Sequence, residues 1–440
     1  MFMDGLLYST VANNFAQGKG SFWHLFNSIT LHTDFHEQPP LYFWIMAGFY
    51  KIFGNSVFVE RFYDFFMLLL SAFLIHKNWQ IIASKKFAKY SFLPVLFWIT
   101  IPVCFWAYSN NMLEITVSVF ALSSSYYLFK YYFKEKRFVY LIVAGIFLIA
   151  GGLTKGFVAL FPLAIPFAYY LIFQSFHVRK WILETFFLSL IPLLVIGLIF
   201  SFETSRSGFS TYLTQRVFHS IEKVSTVDNR FYILKRLFFE LLPMIGVNVL
   251  IFGIRFFKKK ENHWIFDKKT FFLLFIALSA SVPIMITKEQ RGFYLVNSLS
   301  YYAMMVAWAT MPMWQKKIQY LEHLDWLVKW GRTIGIILVV ATLSFSFLQI
   351  GKYSRDEKIL KDIQVIKPVL SNENIISITT TIKDRWNVHS YFMRFMGISL
   401  DDRKLHNFFL TLKNELPDDT VNYRKITVNT SVFDLYYCQK

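Results

Sequence analysis

Residues 34–44 read DFHEQPPLYFW, so His36, Glu37 and Gln38 stand directly before a double proline and an aromatic, apolar run. Upstream lies Asp4. GGLTKG at 151–156 sets Lys155 at the end of an apolar stretch, and Glu114 begins another after Asn110 and Asn111. A polar interval holds Arg216, His219 and Arg230, and KEQRGFY at 288–294 contributes Lys288, Arg291 and Tyr294. An acid, a carboxylate and imidazoles of metal-ligand type, and several cations suit transfer from an anionic phosphate donor. The acid would take a proton from an acceptor hydroxyl, and cations or a metal would hold the departing phosphate. Each group also has a plainer reading. A loop carboxylate is usually solvated, and a double proline can simply open a helix. A lysine at a span end can snorkel, a loop histidine is most often a surface group, and a carboxylate within helices can be a packing partner.

The elements that must position these groups are membrane helices. The 440 residues are 55% hydrophobic, 20% aromatic and only 17% charged, with 51 Phe, and the mean hydropathy is +0.40. A soluble chain of this length would carry far more charge. A bilayer span needs roughly 20 mostly apolar residues. Apolar stretches occur near 57–76, 90–107, 111–129, 138–151, 157–174, 182–202, 237–254, 270–287, 293–312 and 333–350, about ten spans, of which the one at 138–151 is short and runs into the next loop. Charged groups and prolines at 34–40 are costly beside hydrocarbon unless they line a cavity or sit at its mouth.

The net charge of +18 is topological. Basic residues gather in alternate loops: Lys85, Lys86 and Lys89; Lys130, Lys134, Lys136 and Arg137; Arg179 and Lys180; Arg255, Lys258, Lys259 and Lys260; Lys316 and Lys317. The opposite loops near 108–110, 152–156 and 288–292 hold only Lys155, Lys288 and Arg291. Cytoplasmic loops carry such excess, which places residues 1–56 and every candidate group outside. No nucleic-acid partner is expected. A polar amino terminus of this kind does not cross a membrane unaided, so MFMDGLLYST reads as sequence just beyond a first span. Cys104 and Cys438 form no disulfide framework. The expected organisation is an outer segment (1–56), a membrane body (57–351) with a long outer loop at 203–236, and a small α+β outer domain (352–440), where IISITTTI and KITVNTSVF suggest strands.

DG-x-x-Y at 4–8, HEQPPLYFW at 36–44, KIFG at 51–54 and GGLTKG at 151–156 together resemble the polyprenyl-phosphate-sugar-dependent transferases. These comprise the protein O-mannosyltransferases and the lipid A aminoarabinose transferases. The resemblance implies a GT-C fold, an all-α polytopic membrane protein whose first span precedes a long outer loop bearing the catalytic acid. It implies Asp4 as general base, although Gly5 replaces the usual second acid. It implies Glu37 and His219 as ligands of a divalent metal, Lys155 as a phosphate contact and Tyr294 near the donor. Gln38 stands where aminoarabinose transferases carry a phosphate-facing Lys. Arg291 joins the donor-phosphate set, with His36, Glu114 and Lys288 behind it. The expected activity is inverting transfer of a sugar from a polyprenyl phosphate to a lipid, glycan or protein hydroxyl, on the outer face of a bacterial plasma membrane. The alternative is a transporter or flippase of a lipid-linked glycan, but transporters place ionisable groups near the midplane in broken helices. Here they gather at outer span ends.

Overall fold

The computed structural model describes residues 2–174, 177–219, 224–253, 265–352, 355–417 and 422–439. Arg255, Lys258, Lys259 and Lys260 lie outside the described residues. In chain order the helices are α1 (Met3–Ala16), α2 (Leu41–Phe53), α3 (Val59–Ile82), α4 (Phe92–Ile99), α5 (Pro102–Ala107), α6 (Leu113–Phe133), α7 (Phe138–Lys155), α8 (Ala164–Phe173) and α9 (Val178–Ser201). They continue as α10 (Glu203–Tyr212), α11 (Tyr232–Phe252), α12 (Lys268–Ser281), α13 (Val296–Glu322), α14 (Asp325–Leu348), α15 (Glu357–Ile366), α16 (Thr380–Lys383) and α17 (Trp386–Met396). The chain divides into two compact units.

The larger unit comprises residues 20–25 and 35–313. At its centre α6 packs against α3 and α7, and α7 against α9. Small and hydroxylated residues let these helices approach and bond across the apolar interior. Ser124 Oγ donates to Ala144 O (3.0 Å), Ser125 Oγ meets Tyr301 OH (2.7 Å), and Tyr63 OH meets Thr116 Oγ1 (2.6 Å). Among the described residues of the whole chain, five helical stretches are long and apolar enough to cross a membrane: Val59–Ile82, Phe138–Phe173, Val178–Ser201, Lys268–Ile286 and Asp325–Leu348. The other expected spans are helical too. The stretch at 90–107 is broken at Pro102 into α4 and α5. In α6, Glu114 and the serines at 123–125 are polar and lower the hydropathy, and they are buried in the protein interior.

The interval 203–236, expected as a loop, is largely helical where described. It contains α10, a π-helical segment at Leu213–Phe218 and the start of α11.

The smaller unit comprises residues 1–19, 26–34 and 314–440. Its α+β tail has the expected mixed character. Strands β1 (Ile375–Ile378), β2 (Ser399–Asp401), β3 (Phe408–Leu412), β4 (Tyr423–Ile426) and β5 (Phe433–Cys438) form one sheet in the order β2-β1-β3-β5-β4. β1 runs parallel to β2 and β3, with Ile376 opposite Leu400 and Ser377 opposite Phe409, and the remaining pairs are antiparallel. The Asp362 carboxylate ties α15 to the start of β5 by accepting from the N–H groups of Ser431 (2.8 Å), Val432 (2.6 Å) and Phe433 (3.1 Å). α1 packs on α17. Leu6 enters the same apolar core as Ile363, Ile376, Phe392 and Leu435. Thr10 Oγ1 reaches Ser390 O at 3.3 Å, and the buried Arg394 donates Nε–H to Ser9 Oγ at 3.2 Å.

Candidate active site

The GGLTKG motif is a piece of backbone mechanics. α7 ends at Lys155, and Gly156 caps it at φ +69°, a conformation that glycine adopts without steric cost. A Cβ at Gly156 would lie 2.2 Å from the Tyr212 hydroxyl. The following 3-10 segment, Gly156–Leu163, folds back on the helix end, so that a Cβ at Gly151 would stand 3.0 Å from Ala159 Cβ. On a continuous helix those residues would be separated by about 12 Å. The reversal leaves Lys155 at the turn, where its ammonium faces a cavity.

That cavity, about 470 Å³, lies within the larger unit and is lined by Gln38, Glu114, Lys155, Tyr212, Arg216, Glu289, Tyr294 and Asn297. Phe157, Leu160, Phe161, Val217, Pro283, Ile284 and Ile286 make up much of its apolar lining. Its size is that of a small-molecule site, about 300–1,000 Å³. Lys155 forms an ion pair with Glu114, whose side chain is wholly buried in the first turn of α6. A carboxylate there also meets the positive end of the helix dipole. The Lys155 ammonium stands 4.8 Å from the Tyr294 ring centre and 5.7 Å from that of Phe293, a cation–π arrangement.

Across the cavity the π-helical segment presents Arg216, whose Nη2 lies 2.6 Å from Glu289 Oε1. The Tyr294 hydroxyl is 3.5 Å from the same oxygen. Burial alone would push the Arg216 pKa down, but the charges of Glu289, then Tyr294 and Glu37, more than offset it, and the net direction is upward. Arg216 is therefore a permanent cation. Asn297 is held by Ser118, whose Oγ donates to Oδ1 at 3.0 Å.

The structure thus brings together Gln38, Glu114, Lys155 and Tyr294 of the expected residues. Glu37 is half-buried and close enough to Arg216 to act on its charge. Arg291, Lys288 and His219 are exposed and do not line this cavity. Asp4 occupies the first turn of α1, in the smaller unit. Neither Glu37 nor His219, among the described residues, belongs to a group of three or more metal-ligand side chains near enough to share an ion. His36 instead packs edge to face on His24, with ring centres 5.4 Å apart, and His24 Nε2 lies 3.2 Å from Ser207 Oγ.

Sequence reasoning passed over Glu289, Tyr212 and Asn297. Glu289 lies within KEQRGFY, between the cations Lys288 and Arg291.

Residues 37–202 match the family model described as dolichyl-phosphate-mannose-protein mannosyltransferase. The fold over most of the chain matches ArnT from Cupriavidus metallidurans in the apo state, at 15% identity and a TM-score of 0.54, covering 89% of this chain. The chain has the GT-C fold. It spans 64% of the length of that ArnT. The same ArnT bound to undecaprenyl phosphate matches with an equal TM-score of 0.54. A further GT-C likeness, at 11% identity and a TM-score of 0.50, is to the oligosaccharyltransferase AglB from Archaeoglobus fulgidus, in complex with an inhibitory peptide and a dolichol-phosphate. It covers 90% of this chain and 60% of AglB. No curated protein matches the chain by sequence. The GT-C match agrees with the expected all-α polytopic body and mixed tail.

Proposed function

We propose that this chain is an inverting glycosyltransferase that uses a sugar linked to a polyprenyl phosphate. One observation carries the reading: a single cavity in which two cations, Lys155 and Arg216, face a largely apolar lining. Such a site suits an anion attached to an isoprenoid. Gln38 N–H and Tyr294 O–H groups line the same cavity and could donate to phosphate oxygens.

In this reading the Asp4 carboxylate accepts the proton of an acceptor hydroxyl. The hydroxyl oxygen attacks the anomeric carbon from the side opposite the phosphate. The bond between that carbon and the phosphate oxygen breaks, its electron pair leaves with the polyprenyl phosphate, and Lys155 and Arg216 hold the added charge. A single displacement inverts the anomeric configuration. A divalent cation would add Lewis-acid stabilisation. His24 and His36 are the paired side chains that would help hold one, and no step is routed through it. The acceptor is a lipid, glycan or protein hydroxyl, and the alternation of basic loops supports placing the chemistry on the outer face of a bacterial plasma membrane.

The test is sugar transfer from a radiolabelled polyprenyl-phosphate donor, with donor binding measured separately on purified protein. Asp4→Asn should lower turnover roughly 10²–10⁴-fold with donor affinity little changed. Lys155→Gln removes a charge-assisted contact of about 1.5–3 kcal/mol, so donor affinity should fall about 10- to 100-fold. Turnover at the wild-type level in Asp4→Asn would remove the assigned base. Lost donor binding in that variant, with normal binding in Lys155→Gln, would exchange the two roles.

A further inference from the structure

Arg216 faces a carboxylate inside the cavity proposed to receive a phosphate. Glu289 Oε1 lies 2.6 Å from its Nη2, and the Tyr294 hydroxyl approaches the same oxygen at 3.5 Å. The two side chains of the pair keep 34% and 12% of their exposure, Arg216 and Glu289 respectively. Arg216 stands on the π-helical segment Leu213–Phe218, and Glu289 on the irregular run between Ile286 and Gly292. Glu114, the cavity's other carboxylate, is wholly buried at the start of a long helix beside Lys155. Glu289 therefore holds the same cation an incoming phosphate would use.

A fixed anion at that place acts differently on substrate and product. A sugar-linked polyprenyl phosphate is a phosphodiester with a single negative charge. The product is a phosphomonoester, which carries about −1.5 to −2 at pH 7. Repulsion grows in proportion to charge. Without the Glu289 charge, Arg216 would stand unopposed beside the Glu114-paired Lys155, favouring the monoester and retaining it after transfer. We propose that Glu289 sets the cavity's preference for a phosphodiester over a phosphomonoester, and so hastens departure of the polyprenyl phosphate product. This rests on the phosphate reading given under Proposed function.

The experiment is equilibrium binding of farnesyl phosphate and of its methyl ester to the purified full chain in detergent, for wild type, Glu289→Gln and Glu289→Asp. Glu289→Gln should tighten the monoester about tenfold more than the diester, the size expected from one nearby charge in a partly buried site. Glu289→Asp keeps the charge and should hold the affinity ratio near that of wild type. Glu289→Ala, also neutral, supplies the comparison if the Gln variant fails to fold. An unchanged ratio in the neutral variants, with both esters bound by wild type, overturns the role of Glu289 alone. Wild type binding neither ester overturns the phosphate site itself.

Discussion

Lys155, the last residue of α7, is ion-paired to Glu114, in the first turn of α6, 41 residues earlier in the chain. The two ends of this pair differ in setting: the carboxylate has no exposed surface, whereas the ammonium side chain keeps 12%. Removing one partner of a buried pair costs about 3–5 kcal/mol because a charge is left in a poor solvent. Lys155→Met, which leaves the enclosed carboxylate, should therefore lower the apparent unfolding temperature in detergent more than Glu114→Gln, which leaves the cation beside the cavity. Thermal scanning of both variants reads this directly. Equal losses would mean the two charges share one environment.

Much of this arrangement was legible in the sequence. Lys155 and Glu114 could be placed at the ends of apolar runs because hydropathy marks where a helix leaves the membrane. Glu289 could not be distinguished from its neighbours, since its meaning comes from Arg216, 73 residues away, and no periodicity reports a contact between a π-helical turn and an irregular run. The grouping of α1 with the C-terminal sheet was hidden for the same reason. Leu6 is buried by residues at 360–435, while the amphipathic signal of one short helix does not say which surface covers it.

Gly156 should tolerate no side chain. Gly156→Ala places a methyl on the Tyr212 hydroxyl and asks an alanine to hold positive φ, a strain of about 1–3 kcal/mol. Donor binding should fall as Lys155 moves off the cavity. Adding Tyr212→Phe removes the oxygen but not the φ strain, so the double variant should recover part of the loss. Binding by the two variants, compared with Tyr212→Phe alone, separates the steric contribution from the backbone one. No recovery would locate the cost wholly in the turn.

The C-terminal sheet should lose stability in acid through Asp434. Burial alone would raise its pKa, but Lys425 Nζ at 2.7 Å, Lys413 Nζ at 3.0 Å and the Asn414 N–H at 3.1 Å outweigh it and hold the carboxyl below its ordinary value. Because the folded pKa lies below the unfolded one, about 3.9, the contribution is fully present above that pH and is lost as pH falls through the folded pKa. Asp434→Asn should remove about 1–3 kcal/mol at neutral pH and flatten the acid limb. Hydrogen exchange across β3 and β5, followed by mass spectrometry between pH 6 and 3, measures both. An acid slope unchanged in the variant would assign it to other carboxylates.

A structure determined with polyprenyl phosphate bound is the decisive measurement. The phosphate should sit in the cavity with its oxygens within about 3 Å of Lys155 Nζ and the Arg216 guanidinium, and the isoprenoid should run along Phe157, Leu160 and Ile284. A phosphate resolved elsewhere, with Lys155 still held only by Glu114 and Arg216 only by Glu289, would contradict the assignment of this cavity to the donor.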